Sequence, residues 1–469
     1  MVFQWLLVHL LPTIGFILAL ALLSHILKER RSPASTMAWL MAVIFIPYLG
    51  VPFYLIFGGR KMISKTGSKP DLMCNRRLTA ARDIPAANTH LLETDSGVFP
   101  ASANNHITLL PKGEQAYQTI LDLIHNARSS IDIATFILGE DETGKAIVHA
   151  LAGKAAQGLE IRLLIDALGS VRISRAFLAP LLEAGGRVAY FMPMLHLPFR
   201  GRANLRNHRK MLICDNKTAV IGGMNLASEY LGPRDLPGRW RDLSLVVQGP
   251  VIGHISGIFD SDWAFASKTP RDNHQASGCS DGRGRGGALV PGGVTQLVVS
   301  GPDVPNDSLR NAILTEIFRA KRRIWIVTPY FVPDELMFES LCIAVSRNVD
   351  VSIIVPKKSN HRLADIVREG YLSRIQEAGG ALWLYEPRML HAKAILVDDS
   401  LAMVGSANMD MRSMLLNYEI ALCMYAPPAI EQLESWMLDL MSGCSRRPAD
   451  AKHPSGLVES VARLFAPLL

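Results

Sequence analysis

The chain carries one pattern of helices and strands twice, and this internal duplication narrows the folds that it can adopt. Residues 116–126 have the apolar spacing of a helix and lead into a strand-like run at 131–137, and residues 309–320 lead in the same way into 324–330. Alternating helices and apolar strands are typical of α/β domains. An internal repeat gives either a solenoid or two facing domains, and two copies of roughly 150 residues fit the second arrangement. The sequence therefore predicts two α/β domains related by a pseudo-dyad.

Both copies contain the motif H-x-K-x4-D at equivalent points. Its residues are His208, Lys210 and Asp215 in the first copy and His391, Lys393 and Asp398 in the second. An Asn follows each His after seventeen residues, which gives Asn225 and Asn408. One short motif is weak evidence, but two copies with the same trailing residues in a duplicated body strongly indicate a shared site.

The residue types of the motif suit the chemistry of a phosphodiester. On a strand, residues i and i+2 point to the same face, so we expect the His and Lys of each motif to face one cleft. Lys ammonium and Asn amide groups can bind the non-bridging oxygens of a phosphate. A neutral imidazole can attack phosphorus, and a protonated one can protonate the leaving oxygen. Since Lys and His supply positive charge and no carboxylate cluster accompanies the motifs, we expect neither a metal nor another cofactor.

Four carboxylates are assigned by their position in the strand patterns. Asp242 and Glu419 each open an apolar run downstream of a motif, and we expect each to orient a His. Asp215 and Asp398 end an apolar run. They belong either to the catalytic set or to a brace for the adjacent loop.

The predicted substrate-binding residues are Asn225, Ser406 and Asn408. A Ser hydroxyl can donate to a phosphate oxygen, whereas Gly223, at the point equivalent to Ser406, has no side chain to do so. We therefore expect uneven phosphate binding by the two copies.

Two segments near the start of the chain, residues 1–27 and 32–59, contain no charged side chain. Each exceeds the ~20 residues that a helix needs to cross a bilayer. They predict a two-helix transmembrane hairpin; a signal peptide is the alternative for the first segment, but its start lacks basic residues. Three basic residues lie between the segments and six follow the second, which favours a cytoplasmic location for the rest of the chain.

The composition limits the class of protein. The chain has 49% hydrophobic and 19% charged residues with a mean hydropathy of +0.18, which excludes a disordered or fibrous protein. A net charge of +7 suits an anionic partner, either lipid or nucleic acid. The six Cys residues lack C-x-x-C spacing, which argues against a disulfide framework or a zinc site.

Changes in composition divide the chain into six parts. We expect a hairpin at 1–60, a tether at 61–105, a first domain at 106–268, a flexible linker at 269–293, a second domain at 294–445 and an amphipathic tail at 446–469. The basic stretch at 195–207, which includes Arg200, Arg202 and Arg206, is either a solvated loop or a lid over anionic lipid headgroups.

The paired motifs resemble the phospholipase D superfamily. Within it, the two apolar segments and the runs at 33–39, 57–60, 204–210, 222–230 and 405–413 resemble membrane-anchored bacterial cardiolipin synthases. The resemblance implies two domains, each a mixed sheet flanked by helices, that share one active site at a bacterial inner membrane. It also implies a metal-independent transfer between two phosphatidylglycerol molecules, through a phosphohistidine, that gives cardiolipin and glycerol. It favours His208 as nucleophile and His391 as general acid/base, which the symmetric sequence by itself leaves undecided.

Two other functions use the same features. A hydrolase of the same superfamily, either a phospholipase D or a nuclease, has the same two His residues with water as the acceptor. The apolar segments favour a lipid substrate, and the modest charge without a basic, aromatic stripe argues against nucleic acid. A non-catalytic scaffold that binds anionic lipid needs no paired proton donors, so two intact motifs argue against it.

Overall fold

The structure of the chain is a computed structural model. It describes residues 20, 22–24, 26–27, 33–57, 69, 92, 97–192, 205–269, 293–304 and 306–448. The chain divides into two compact units, one of residues 1–66 with 193–205 and one of residues 67–192 with 206–469.

In the first unit, the second apolar segment forms two short helices, α1 (Pro33–Phe45) and α2 (Pro47–Phe57). They are separated at Ile46, because Pro47 has no amide hydrogen and disfavours a helical conformation of the residue before it. The rings of Trp39 and Tyr54 pack edge to face with their centroids 5.3 Å apart. In the described part of the chain, no helix combines the length and the apolar character that a membrane crossing requires. The predicted two-helix hairpin is therefore not confirmed, and most of its first helix lies outside the described residues.

The second unit contains both copies of the duplicated pattern. The elements of the first copy are β1 (Ser102–Leu110), α3 (Gly113–Asn126), β2 (Ser130–Thr135), α4 (Glu142–Ala156), β3 (Glu160–Asp166), α5 (Arg175–Glu183), β4 (Arg187–Phe191), β5 (Met211–Cys214), β6 (Thr218–Gly222), β7 (Ser244–Gln248) and α6 (Val251–Ser267). Its main apolar core is formed by α3, α4, β2 and β3 together with their neighbours.

The second copy repeats this series with a few additions. Its elements are β8 (Gly293–Ser300), α7 (Ser308–Arg319), β9 (Arg323–Val327), β10 (Phe331–Val332), α8 (Glu335–Ser346), β11 (Asp350–Pro356), α9 (Arg362–Glu377), β12 (Ala381–Tyr385), β13 (Ala394–Val397), β14 (Leu401–Gly405), β15 (Met409–Asp410), α10 (Met411–Leu415), β16 (Glu419–Met424), α11 (Pro427–Ser442) and β17 (Cys444–Arg446). It has an apolar core of its own.

One fifteen-stranded sheet runs through both copies. Its order is β17-β12-β11-β9-β13-β14-β16-β8-β1-β7-β6-β5-β2-β3-β4. Outward from the central β1–β8 pair, every strand of the first copy has a counterpart at the same place in the second. Because β1 and β8 are antiparallel, a pseudo-twofold axis at this pair relates the copies. Strands β2, β3 and β4 are parallel while β5, β6 and β7 are antiparallel, so the predicted mixed α/β fold is confirmed.

The predicted tether at 61–105 extends too far towards the carboxyl terminus, because residues 102–105 belong to a strand. Strand β1 begins at Ser102 and lies in the middle of the sheet. The sequence did not predict this strand because its polar residues do not follow the apolar pattern of a buried strand. Asn105 is buried, donates to the carbonyl of Ser102 and the hydroxyl of Thr295, and accepts from the amide of Val251. Polar side chains can be buried when their hydrogen bonds are satisfied. Lys69, also within the expected tether, is buried as well.

Several other predicted segments fall outside the described residues. These are most of the linker (270–292), the stretch 193–204 with Arg200 and Arg202, and the tail from residue 449 onward. Arg206 is described and is buried. Its guanidinium donates to the carbonyl of Met192 at 3.0 Å and lies 3.5 Å from Asp166. The expectation that Arg206 belongs to a solvated loop or a lid is therefore wrong.

Candidate active site

The two H-x-K motifs lie at the same edge of the sheet. Ala134, near the carboxyl end of β2, pairs with Met211 at the start of β5, so His208 lies just beyond that end. Strands β9 and β13 repeat this arrangement and place His391 equivalently. Polar side chains that follow strand ends at one edge of an α/β sheet are positioned to form a common site.

The main chain of each motif is bonded to the other copy. The amide of His208 donates to the carbonyl of Tyr418 at 2.9 Å, and the amide of His391 donates to the carbonyl of Arg241 at 2.7 Å. The expectation that the motifs lie on strands is wrong, because β5 and β13 begin only after the Lys of each motif. The cross-bonds instead tie each His to the segment that carries the predicted orienting carboxylate of the other copy.

The His residues and the predicted orienting carboxylates pair crosswise. Nδ1 of His391 lies 2.7 Å from Oδ2 of Asp242, and Nδ1 of His208 lies 3.1 Å from Oε1 of Glu419. Both carboxylates are buried. Burial by itself would raise the pKa of Glu419, but His208 and Lys210 lower it below its usual value. The site is therefore completed by both copies, with an ionised carboxylate behind His208.

Both motif lysines are buried beside the imidazoles. Nζ of Lys393 lies 2.8 Å from Nδ1 and 3.2 Å from Nε2 of His391, and Nζ of Lys210 donates to the carbonyl of His208 at 2.7 Å. Burial lowers the pKa of Lys393 to about 7, with Asp242 opposing the shift and Lys210 adding to it. Burial also lowers the pKa of His391 to about 4, and the charge of Lys393 contributes to this shift. Each motif thus acts electrostatically on the other.

Aromatic rings line the walls around the imidazoles. The ring of Phe136 lies 4.2 Å from that of His208, and the rings of Tyr230 and Trp240 each lie 5.2 Å from that of His391. Tyr230 and Trp240 belong to the first copy, so His391 is enclosed across the pseudo-dyad. Apolar walls strengthen the electrostatic interactions of the charges between them.

Asp215 and Asp398 lie at the opposite edge of the sheet from the His residues. They directly follow the ends of β5 and β13 and have left-handed φ values of 55° and 49°. Asp215 accepts hydrogen bonds from the amides of residues 128–130, and Asp398 accepts from the amides of residues 321–323. This placement corrects their grouping with the catalytic residues and matches the alternative of a loop brace.

Ser406 is already engaged within the protein. Its hydroxyl donates to Oε2 of Glu419 and accepts from the amide of Ile420, and the residue is fully buried. At the equivalent point, a Cβ on Gly223 would meet Oδ1 of Asp242 at 2.1 Å. The expected phosphate contact of Ser406 is therefore replaced by a contact with a carboxylate. The difference between the copies concerns how each carboxylate is held.

The two Asn residues of the motifs differ in their contacts. Oδ1 of Asn225 accepts from the amide of Ile137 at 3.1 Å, which fixes the chain after β2. Nδ2 of Asn408 donates to Asp410 at 3.0 Å, and its Oδ1 has no hydrogen-bond partner among the described residues. Asn408 therefore has one acceptor atom that makes no hydrogen bond among the described residues.

Two polar residues near His208 were not assigned from the sequence. Nδ2 of Asn417 lies 3.3 Å from Nδ1 of His208, and Asp166 accepts from the amide of Asn207 at 3.0 Å. Both had a signal. Asn417 lies two residues before Glu419 and so shares its face in extended chain. Asp166 ends the apolar strand β3 at the edge where such side chains gather.

A buried cluster of four charges lies behind His208. Arg209 points away from the cleft, with one guanidinium nitrogen 2.8 Å from Asp262 and another 3.4 Å from Asp303. Lys69 contacts both of these carboxylates. Burial by itself would raise the pKa of Asp303, but Lys69 and Arg209 lower it. Two positive and two negative charges balance, and they join the first motif to α6, to the second copy and to the segment before β1.

The arrangement has the groups that displacement at a phosphate requires. Two imidazoles, each fixed by a carboxylate, lie at one edge of the sheet, and each has a buried ammonium group beside it. Within the described ranges, no group of three or more His, Cys, Asp or Glu side chains is placed to hold a metal ion. Lys210 and Lys393 supply positive charge that can bind a phosphate here.

Family models and curated relatives give the same family for this chain. Residues 120–263 and 313–441 match the family described as "Cardiolipin synthase, PLD-like domain", and residues 17–59 match "Phospholipase_D-nuclease N-terminal". Cardiolipin synthase 1 of Bacillus anthracis is 33% identical over 465 residues, which cover 94% of this chain and 90% of that protein. The major cardiolipin synthase of Bacillus subtilis (strain 168) is 32% identical over 465 residues and covers 95% of each.

A solved structure shows the same fold at low identity. The crystal structure of phosphatidylserine synthase from Haemophilus influenzae Rd KW20 matches 77% of this chain and 93% of that chain, with a TM-score of 0.58 and 15% identity. The family model covers more than half of the chain, and relatives above 30% identity span nearly all of it. The chain therefore belongs to the cardiolipin synthase family of phospholipase D-like proteins.

Proposed function

We propose that the protein is a phosphatidyltransferase that joins two phosphatidylglycerol molecules into cardiolipin and releases glycerol. The observation that carries this proposal is the pair of crossed His–carboxylate contacts, His208 with Glu419 and His391 with Asp242, at one edge of the sheet. Family membership supplies the substrate, since the curated relatives are named cardiolipin synthases.

In the first step, one imidazole attacks the phosphorus of a phosphatidylglycerol. We assign this role to His208, following the family resemblance. Its side chain is the more exposed of the two, 19% against 10% for His391. Glu419 faces Nδ1 of His208, which leaves Nε2 to form the P–N bond. The P–O bond to glycerol breaks, and His391 donates the proton that the leaving oxygen takes up.

In the second step, the glycerol hydroxyl of another phosphatidylglycerol attacks the phosphohistidine. Its proton passes to His391, the new P–O bond forms and the P–N bond breaks. In the unliganded site His391 is neutral at neutral pH, because burial and Lys393 lower its pKa to about 4. The acid role of His391 in the first step therefore depends on the bound phosphate anion, whose charge offsets that of Lys393.

The remaining predicted residues take different roles in this scheme. Lys210 and Lys393 bind the non-bridging phosphate oxygens, and Asn408 offers its unpaired Oδ1 to a hydroxyl of the glycerol headgroup. Asn225 and Ser406 position neighbouring groups. Asp215 and Asp398 brace the loops that lead into β2 and β9.

We further propose that residues 1–60 anchor the chain in a bacterial cytoplasmic membrane as two helices, with the sheet-containing unit on the cytoplasmic side. Residues 17–59 match the family described as "Phospholipase_D-nuclease N-terminal", which supports a role for this part that is common to that family. Large apolar side chains of α1 and α2 are exposed, among them Met37, Met41, Phe45, Leu49 and Phe53. Exposed apolar surface of this kind suits contact with lipid.

The experiment that tests the function uses the full chain, purified in detergent, with phosphatidylglycerol in mixed micelles. Cardiolipin and glycerol in equal amounts support the proposal, whereas phosphatidic acid without cardiolipin identifies a hydrolase instead. Samples reacted with phosphatidylglycerol labelled at phosphorus and quenched at alkaline pH, where the P–N bond of a phosphohistidine survives, then locate the covalent phosphoryl group. Label on His391, or its persistence in His208→Ala, would reverse the assignment of the two His roles.

A further inference from the structure

Two loops occupy equivalent places at the catalytic edge of the sheet. The first edge loop, residues 167–175, connects β3 to α5 and includes the first residue of α5, and the second edge loop, residues 357–366, connects β11 to α9 and includes the first turns of α9. Strands β3 and β11 run parallel to β2 and β9, so both loops leave the sheet at the edge that carries the two motifs.

The first edge loop is joined to His208 through one aromatic residue. The hydroxyl of Ser170 accepts from the amide of Leu138 and donates to the carbonyl of Phe136, both at 3.0 Å. The ring of Phe136 lies 4.2 Å from that of His208. Phe136 therefore connects this loop to the imidazole of His208.

The second edge loop reaches His391 in the same way. The hydroxyl of Tyr330 donates to Oδ1 of Asn360, and its ring lies 5.5 Å from that of His361. The same Tyr330 ring lies 6.4 Å from that of His391. The two edge loops thus stand on either side of the cleft, each behind an aromatic residue that faces a motif His.

Both loops expose apolar side chains. Val171 is 60% exposed and Leu168 is 40% exposed in the first, and Leu363 and Ile366, in the first turns of α9, are 40% and 37% exposed. Single exposed apolar residues are common on soluble surfaces. Four of them at two symmetric places beside one cleft form a pattern, and such surfaces mark sites of contact with a partner or a membrane.

The same loops carry basic side chains. Arg172 and Arg175 are exposed beside Val171, and Lys358 and Arg362 are exposed beside Leu363. Apolar side chains flanked by cations suit the boundary between the headgroups and the acyl chains of an anionic bilayer.

We propose that the two edge loops insert into an anionic phospholipid bilayer, with their apolar side chains among the acyl chains and their cations among the phosphates. This inference rests on the proposed function. A phosphatidyl donor keeps its acyl chains in the bilayer while its phosphate reacts. The cleft must therefore meet the headgroup layer, and the loops at its sides lie at or below that level. The edge loops thus form a second membrane contact, separate from residues 1–60, that delivers substrate to the motifs.

The first test measures depth in the membrane. The full chain is reconstituted into phosphatidylglycerol-containing vesicles with brominated acyl chains, and the tryptophan fluorescence of Val171→Trp and Ile366→Trp is compared with that of the parent. Phe318→Trp is the matched control. Phe318 is 50% exposed on α7, which leads into the amino end of β9 at the opposite edge of the sheet. Quenching of the added fluorescence at 171 and 366 but not at 318 supports insertion; equal quenching at all three, or none at 171 and 366, overturns it.

The second test compares turnover of phosphatidylglycerol in a bilayer with turnover of a water-soluble, short-chain phosphatidylglycerol. Val171→Asp and Ile366→Asp are expected to lower turnover of phosphatidylglycerol in vesicles at least tenfold. Turnover of a short-chain phosphatidylglycerol dissolved as monomers is expected to stay within twofold of the parent, and Phe318→Asp is expected to behave as the parent on both. Equal losses on both forms would mean that the loops shape the cleft rather than contact lipid, which overturns the inference.

The two proposals fail in different ways. If the parent makes no cardiolipin from either form of the substrate, the proposed function is wrong. The fluorescence measurement still decides whether the loops enter the bilayer. If the parent is active and the loop variants match it on vesicles, the function stands and the membrane contact is wrong.

Discussion

Asp242 of the first copy lies 2.7 Å from His391 of the second copy, 149 positions along the chain, so the motif His of one copy is paired with a carboxylate of the other. The reciprocal contact joins His208 to Glu419. Each carboxylate follows directly after the residue whose carbonyl accepts the main-chain amide of the His that it faces. Each imidazole is therefore fixed by a main-chain contact and a side-chain contact acting together. The pseudo-dyad makes the two arrangements alike.

The crossed pairs predict that the two carboxylates act on different parts of the reaction. Asp242→Asn and Glu419→Gln are each expected to lower turnover of phosphatidylglycerol about 100-fold or more, because a mispositioned imidazole no longer transfers a proton or attacks efficiently. With a phosphatidyl ester of p-nitrophenol, whose leaving group needs no proton, Asp242→Asn should retain a rapid burst of p-nitrophenol. Glu419→Gln should lose it. Equal bursts in the two variants would contradict the assignment of His208 as nucleophile.

The close approach of Gly223 to Asp242 predicts a loss of activity from one added methyl group. In Gly223→Ala the new Cβ would meet the Asp242 carboxylate at 2.1 Å, so that carboxylate must move away from His391. Turnover is expected to fall at least 100-fold, an effect comparable to removal of the carboxylate. Gly257→Ala, on α6 with no atom within 4 Å of its Cβ, is the control and should keep full activity. Normal turnover by Gly223→Ala would show that Asp242 does not position His391.

Ser406→Ala tests the equivalent point of the second copy. It removes the hydrogen bond that Ser406 donates to Glu419 but leaves the contact between Glu419 and His208. A hydrogen bond to a charged group contributes about 1.5–3 kcal/mol, so turnover is expected to fall by roughly tenfold or more. The KM for phosphatidylglycerol should change little, because Ser406 does not bind phosphate. A large rise in KM with unchanged kcat would restore the phosphate-binding role.

The buried charge cluster predicts a strong dependence of stability on Lys69. Lys69→Met leaves an uncompensated negative charge among Asp262, Asp303 and Arg209, at a cost of about 3–5 kcal/mol in the free energy of unfolding. Removing a negative charge at the same time, in Lys69→Met/Asp303→Asn, should recover part of the loss. Lys145→Met, on the exposed face of α4, is the control. Thermal unfolding in detergent measures the effect, and equal Tm values for Lys69→Met and Lys145→Met would contradict it.

The low pKa of Lys393 predicts that binding of a phosphodiester weakens as the pH rises. Burial lowers the pKa of Lys393 to about 7, so its ammonium form is complete below that pH and is lost above it. In the free site His391, with its pKa lowered to about 4, is already neutral throughout this range. Inhibition by glycerophosphoglycerol, a phosphodiester of constant charge, should therefore weaken by up to tenfold per pH unit above about pH 7.

Lys393→Arg provides the control for that pH dependence. A guanidinium stays protonated throughout the range, so the inhibition constant of this variant should depend less steeply on pH than that of the parent. If both proteins show the same slope, another group controls the binding of the phosphodiester.

Much of the fold and of the site followed from local patterns in the sequence. The helix and strand periodicities of residues 116–137 and 309–330 gave the duplicated α/β architecture, and the spacing of the motifs gave His208 and His391 with their lysines. Strand β1 was missed, since the buried Asn105 is satisfied by partners from distant segments and no local pattern reveals that. The same limit applies to Lys69, a polar residue whose two partners lie 193 and 234 positions away.

The sequence by itself determined that two equivalent halves each contribute an imidazole, an ammonium group and a carboxylate, because these residues recur at fixed spacings in a repeated pattern. Only the tertiary structure decided that each carboxylate serves the His of the other half, that Ser406 faces Glu419, and that Asp215 and Asp398 lie at the far edge of the sheet. The periodicity of a sequence indicates only on which face of its own helix or strand a side chain lies. Its partner is set by how β1 and β8 join the two halves into one sheet.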